Sequence, residues 1–202
     1  MDFATLLNAP DASIASISEY LDGLDHGGRM KAMGRTSKAD QRKLWHLAEA
    51  SPPLSFEDFV PASVPDATEV IHHGRNTLPA FRSFQKRFAR PADHSARLFG
   101  YNEGATRALI GPGYFVMRAT EGNAAWEARG SLVVDYFMVP ELNATLPPGW
   151  PPLRFNHQGP QRLVYYHTRD FMRRVSAHVT VGMAFKEEAS LNNWFTLVRE
   201  DD

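Results

Sequence analysis

Hydrophobic positions in the first fifty residues recur at helical spacing. Ile14, Ile17, Leu21 and Leu24 fall three and four apart, and Gly23 marks a stop. Ser37 with Asp40 three positions later makes a capping box that leads into Leu44, Leu47 and Ala48, with Trp45 beside them. Residues 1–50 therefore predict a helical pair. Prolines at 52, 53, 61 and 65 exclude regular structure from 51 to 66, where Leu54, Phe56, Phe59 and Val60 supply apolar groups for an extended segment across the core.

From residue 67 the pattern changes to short runs separated by turn chemistry. A strand is expected near Glu69–His73. A helix is expected over 78–90, with Pro79 in its first turn, Phe81, Phe84 and Phe88 on one face, Arg82, Lys86 and Arg90 on another, and Pro91 after its end. Strands are then predicted at Arg97–Tyr101, Ala105–Ile110, Tyr114–Thr120 and Arg129–Val139. Asn102-Glu103-Gly104, Gly111-Pro112-Gly113 and Glu121-Gly122-Asn123 join them as a meander. Six prolines between 140 and 160 predict an irregular loop in which Trp150 packs down. Val164, Thr168, Phe171, Met172 and Val175 suggest a helix over 161–176, with a strand at Leu163–Tyr166 as the alternative. Val179, Val181, Met183 and Phe185 alternate as a strand, and Trp194–Arg199 gives a last one.

The expected fold class is α+β. An antiparallel meander forms a strongly curved sheet or barrel, carrying the N-terminal helical pair and one or two further helices, in a single domain over 1–202 with its β-rich core at 67–202. A chain of 202 residues with 43% hydrophobic content is long enough for one such core.

Composition removes several kinds of chemistry. With no cysteine there is no thiol nucleophile, iron–sulfur cluster or cysteine-ligated zinc. No phosphate loop, nucleophile elbow or His-Glu-x-x-His helix occurs, and Gly111-Pro112-Gly113 precedes a strand and reads as a turn. No cofactor and no metal is expected. His72, His73, His157, His167 and His178 form no spaced ligand pair, and adjacent His72 and His73 point to opposite faces if extended. The net charge is −1, and although residues 69 to 118 carry an excess of five positive charges they contain no long cationic run, so no nucleic-acid partner is expected. The opening residues carry no cationic start, no apolar stretch reaches bilayer length, and the expectation is a cytoplasmic protein with no membrane partner.

Asp135 is the most informative residue, because it interrupts the apolar run Leu132–Val139 and shares a strand face with Val133 and Phe137. A buried carboxylate must be paired or must rise in pKa, so Asp135 is a candidate acid, base or ligand anchor. An internal ion pair with Arg118 or Arg107 is the competing reading. Tyr114, Val116 and Arg118 share one face, making Tyr114, Arg118 and Arg107 candidate ligand-binding residues if that face is concave. His178, beside Thr180, is a second candidate proton shuttle. Three functions follow: a small-molecule binding protein, a cofactor-independent enzyme using Asp135 or His178, and an adaptor docking through the proline-rich loop 140–160.

Overall fold

The computed structural model describes residues 2–201. Eight antiparallel strands close into a barrel in chain order: β1 (Val70–Asn76), β2 (Ser83–Ala89), β3 (Leu98–Glu103), β4 (Phe115–Ala119), β5 (Leu132–Asp135), β6 (Thr168–Arg174), β7 (Val179–Lys186) and β8 (Ala189–Arg199). β8 returns to pair with β1, from His72 opposite Arg199 to Asn76 opposite Phe195, so the sheet has no free edge.

Alternation along each strand sorts the side chains between two clusters. Phe88, Leu98, Phe115, Met117, Leu132 and Leu197 fill the lumen, whereas Val133, Phe171, Val179, Val181 and Val198 face outward beneath the N-terminal helices. Three glycines make room for lumen aromatics. Gly74 lies opposite Phe84, Gly100 opposite Phe115 and Gly182 opposite Phe195, and a Cβ on each glycine would come within 2.4, 2.3 and 2.2 Å of the facing ring. A large residue paired with none at all is how these inner layers fit.

Four helices, rather than a pair, precede the barrel: α1 (Phe3–Asn8), α2 (Ile14–Asp22), α3 (His26–Gly34) and α4 (Lys38–Leu47). Two coincide with the predicted ones. α2 ends at Gly23, and α4 carries the Ser37–Asp40 capping box. α3, with two glycines near its start and a buried Arg29, has too weak an apolar stripe to be read from spacing. The segment 51–66 closes one end of the barrel, where Phe59 packs on His72 and Phe88 with ring centroids 5.3 and 5.0 Å away.

Both helices expected within the β-rich core are corrected. Residues 78–90 form a turn and then β2, because Phe84 and Phe88, four apart, satisfy a period of two as well as a period of 3.6. Phe81 lies in the preceding turn at φ 52°. Residues 161–176 form one turn of helix, α7 (Gln161–Val164), and then β6, in which Phe171 and Met172 are buried on opposite faces of the sheet. The expected strand 105–110 is instead a short helix, α5 (Arg107–Ile110). The expected strand 129–139 contracts to β5, with another short helix, α6 (Ala124–Glu127), before it.

Candidate functional site

At the end of the barrel opposite the 51–66 plug, the lumen opens into a cavity of about 310 Å³. The loops β1–β2, β3–β4 and β5–β6 surround it, and the exposed apolar side chains of Leu78, Phe81, Val164 and Leu191 stand at its mouth. Phe84, Tyr165 and Phe195 contribute to its walls.

Four buried polar side chains converge at its floor from four strands or strand ends. Lys86 of β2 is 2% exposed, and its Nζ lies 2.9 Å from Oδ2 of Asp170 on β6. The same ammonium donates to Oδ1 of Asn102 on β3 at 3.1 Å and to the hydroxyl of Tyr136, just after β5. Asn102 is held in turn, since its Nδ2 donates to the Gly113 carbonyl at 2.9 Å and to the Tyr136 hydroxyl at 3.0 Å. The Gly111-Pro112-Gly113 turn thus positions the site, and its glycines are needed there. At Gly113, with φ 53°, a Cβ would also strike the ring of Tyr165.

Burial dominates the electrostatics. It pushes the Lys86 ammonium below the ordinary lysine range, against the opposing pull of the Asp170 carboxylate. It lifts the Tyr136 phenol well above the ordinary tyrosine range, with the Asp170 charge acting in the same direction. Tyr165, stacked on Tyr136 at 5.3 Å, is raised to about 12 for the same first reason. Rings of Phe115, Tyr136 and Phe195 lie 5.0 to 5.2 Å from Lys86 Nζ and replace part of its lost hydration.

No protein-family model, curated protein or solved structure matches the chain.

Of the candidate catalytic and ligand-binding residues Asp135, His178, Tyr114, Arg118 and Arg107, only Arg107 lines this cavity, at the mouth, where its Nε pairs with Glu103 at 2.7 Å. Asp135 is fully buried, but on the outer wall of the barrel. Its Oδ2 accepts from Arg118 at 2.6 Å and from Arg169 at 3.3 Å, and its Oδ1 accepts from the Phe137 amide at 3.0 Å. The Trp126 ring stacks over both guanidiniums, at 4.7 and 4.5 Å, and covers the pair. Tyr114 and Arg118 do share a face, as alternation requires, but it is the convex one. Tyr114 lies under Trp150, and its hydroxyl donates to the Pro151 carbonyl at 2.5 Å. His178 lies at the plugged end beside Arg199 and Asp201, where burial and the Arg199 charge lower its pKa. Trp150 packs on Tyr101 and donates from Nε1 to Glu69 Oε2 at 2.6 Å, so the proline-rich loop lies against the barrel wall.

The sequence did carry a signal for the floor. Lys86 alternates with Phe84 and Phe88, and Asp170 lies two positions from Met172, so each is a charge at an inward position once its segment is read as a strand. A wider groove of about 920 Å³ lies at the plugged end. It is open to solvent, and Arg173 and Arg174 there are committed to backbone carbonyls and to Asp58. Among the described residues no group of His, Asp and Glu gathers to hold a metal ion, and no helix is long and apolar enough to cross a membrane.

Proposed function

We propose that this protein binds a small, mainly apolar molecule in the mouth of its barrel, with one neutral polar group of the ligand seated on the Lys86–Asp170–Tyr136–Asn102 floor. An eight-stranded closed barrel is compatible with this role, because its interior is just wide enough to be filled by side chains or to hold one small ligand. The cavity is at the small end of ligand pockets, and about 310 Å³ corresponds to roughly ten water molecules at ~30 Å³ each.

The observation that carries the reading is the convergence of four buried polar groups on an otherwise aromatic chamber. Its charge balance selects the ligand's head group. Lys86 and Asp170 already neutralise one another at 2.9 Å, so an added carboxylate would bring an unpaired charge into a desolvated site. A carbonyl oxygen adds no charge and takes the hydrogen bond of the Tyr136 hydroxyl, whose acceptors within the protein, Asn102 Oδ1 and Asp170 Oδ2, lie at the long distances of 3.2 and 3.4 Å.

The test is fluorescence titration with 2-acetylnaphthalene, using 2-naphthoate as the anionic counterpart. The ketone is expected to bind saturably and more tightly than the carboxylate. Ala184→Trp, on the cavity wall, should abolish the binding. No saturable ketone binding, or binding unchanged by Ala184→Trp, overturns the reading.

A further inference from the structure

The floor contains a nucleophile that simple binding leaves unused. Lys86 is the only one of the five lysines in the barrel lumen. Lys31, Lys38 and Lys186 are exposed and Lys43 is half-buried on α4. A lysine attacks a carbonyl carbon only as the free amine, so an exposed one, ionised at neutral pH, is a poor nucleophile. Lys86 has an internal proton acceptor, the Asp170 carboxylate at 2.9 Å, and an adjacent hydroxyl group on Tyr136. Four aromatic rings lie 5.0 to 5.8 Å from Nζ and limit the room for water beside it, which slows hydrolysis of an imine formed there.

We propose that Lys86 captures a small apolar aldehyde as an imine, an inference that rests on the cavity being a ligand site and specifies its ligand. Lys86 passes one ammonium proton to Asp170 and becomes the free amine. Nitrogen attacks the aldehyde carbon, the N–C bond forms, and the carbonyl electron pair moves to oxygen. Tyr136 gives its hydroxyl proton to that oxygen and takes one from nitrogen, which leaves a neutral carbinolamine. Protonated Asp170 donates to the carbinolamine hydroxyl, the C–O bond breaks and water leaves. The product is a protonated imine facing the Asp170 carboxylate. One aldehyde is consumed and one water released, with no oxidant or reductant. The ion pair of the free protein is replaced by an equivalent one, so the product adds no unpaired charge to the lumen.

Burial also favours the nucleophilic form, since it lowers the Lys86 pKa from the ordinary lysine value.

The experiment is borohydride trapping of the whole protein incubated with octanal at neutral pH, followed by peptide mapping. One adduct is expected, with the mass of octanal less one water plus two hydrogens, located on Lys86 and at least about tenfold more abundant there than on any other lysine. Lys86→Arg keeps the charge, removes the nucleophile and should abolish that adduct. Asp170→Asn should slow trapping roughly a hundredfold, the low end of what a positioned acid–base group contributes. If either variant fails to fold, mapping of the wild-type protein decides alone. Octanal adducts spread over Lys31, Lys38, Lys43 and Lys186 without enrichment at Lys86 overturn the imine. In that case, retained saturable binding of 2-acetylnaphthalene leaves the cavity reading standing, and loss of both removes the cavity reading as well.

Discussion

Lys86 and Asp170 meet 2.9 Å apart in the lumen from β2 and β6, strands that lie on opposite sides of the closed barrel and share no backbone hydrogen bond. Their contact therefore depends on barrel closure rather than on local pairing. Removing one partner from a buried pair strands the other charge, whereas removing both leaves no unpaired charge. Lys86→Met is expected to lower unfolding stability by about 3–5 kcal/mol, and Lys86→Met/Asp170→Asn to recover most of that loss. Urea denaturation of the single and double variants measures the coupling. Additive losses would show that the two charges act independently.

Asp135 supports the outer wall, so changing it should separate stability from binding. Asp135→Asn keeps an acceptor for Arg118 and Arg169 but loses the charge, and a cost of roughly 1–3 kcal/mol is expected for weakening these partly buried hydrogen bonds. Affinity for 2-acetylnaphthalene should be unchanged in the folded variant. A tenfold loss of affinity with unchanged stability would return Asp135 to the ligand site.

His72 makes stability depend on pH. Its Nε2 donates to the Phe59 carbonyl at 2.9 Å inside the plugged end, and burial pushes its pKa down to about 3 from an ordinary 6.5. Above pH 6.5 the ring is neutral in both folded and unfolded chains and has no effect. As pH falls from about 6.5 toward about 3, only the unfolded chain takes up the proton, and stability is lost. Near pH 5 the loss due to His72 should reach about 2 kcal/mol, at roughly 1.4 kcal/mol per pH unit. Denaturant midpoints for wild type and His72→Gln between pH 7 and 5 measure it. The variant should show a shallower decline.

The glycine–phenylalanine pairing in the lumen predicts a steric penalty with a specific rescue. A Cβ at Gly74 would lie 2.4 Å from Phe84 Cζ, so Gly74→Ala should cost about 1–3 kcal/mol through overpacking. Adding Phe84→Leu should restore part of that loss. Thermal unfolding of the three variants checks both signs, and a harmless Gly74→Ala would show that the Phe84 ring moves freely.

What the sequence determined by itself was whatever depends on neighbours along the chain. The Ser37–Asp40 cap, the stop at Gly23, the turn at Gly111-Pro112-Gly113 and the alternation of β7 are local properties of backbone and side chain; the antiparallel pairing of neighbouring strands agrees with the expected meander, but the β3–β4 and β4–β5 connections are longer than the expected turns and carry α5 and α6. Alternation also put Tyr114, Val116 and Arg118 on one face, and Asp135 with Val133 on one face. It could not say which face is concave, because period two gives a strand two equivalent sides until the sheet closes. Closure, and the helices laid over β7 and β8, decided that the outer wall is as buried as the lumen. That is why an acid among apolar neighbours proved to be an ion pair of the wall, while Lys86 and Asp170, from segments whose spacing also fits a helix, became inward charges only when pairing with strands on both sides fixed them as strands.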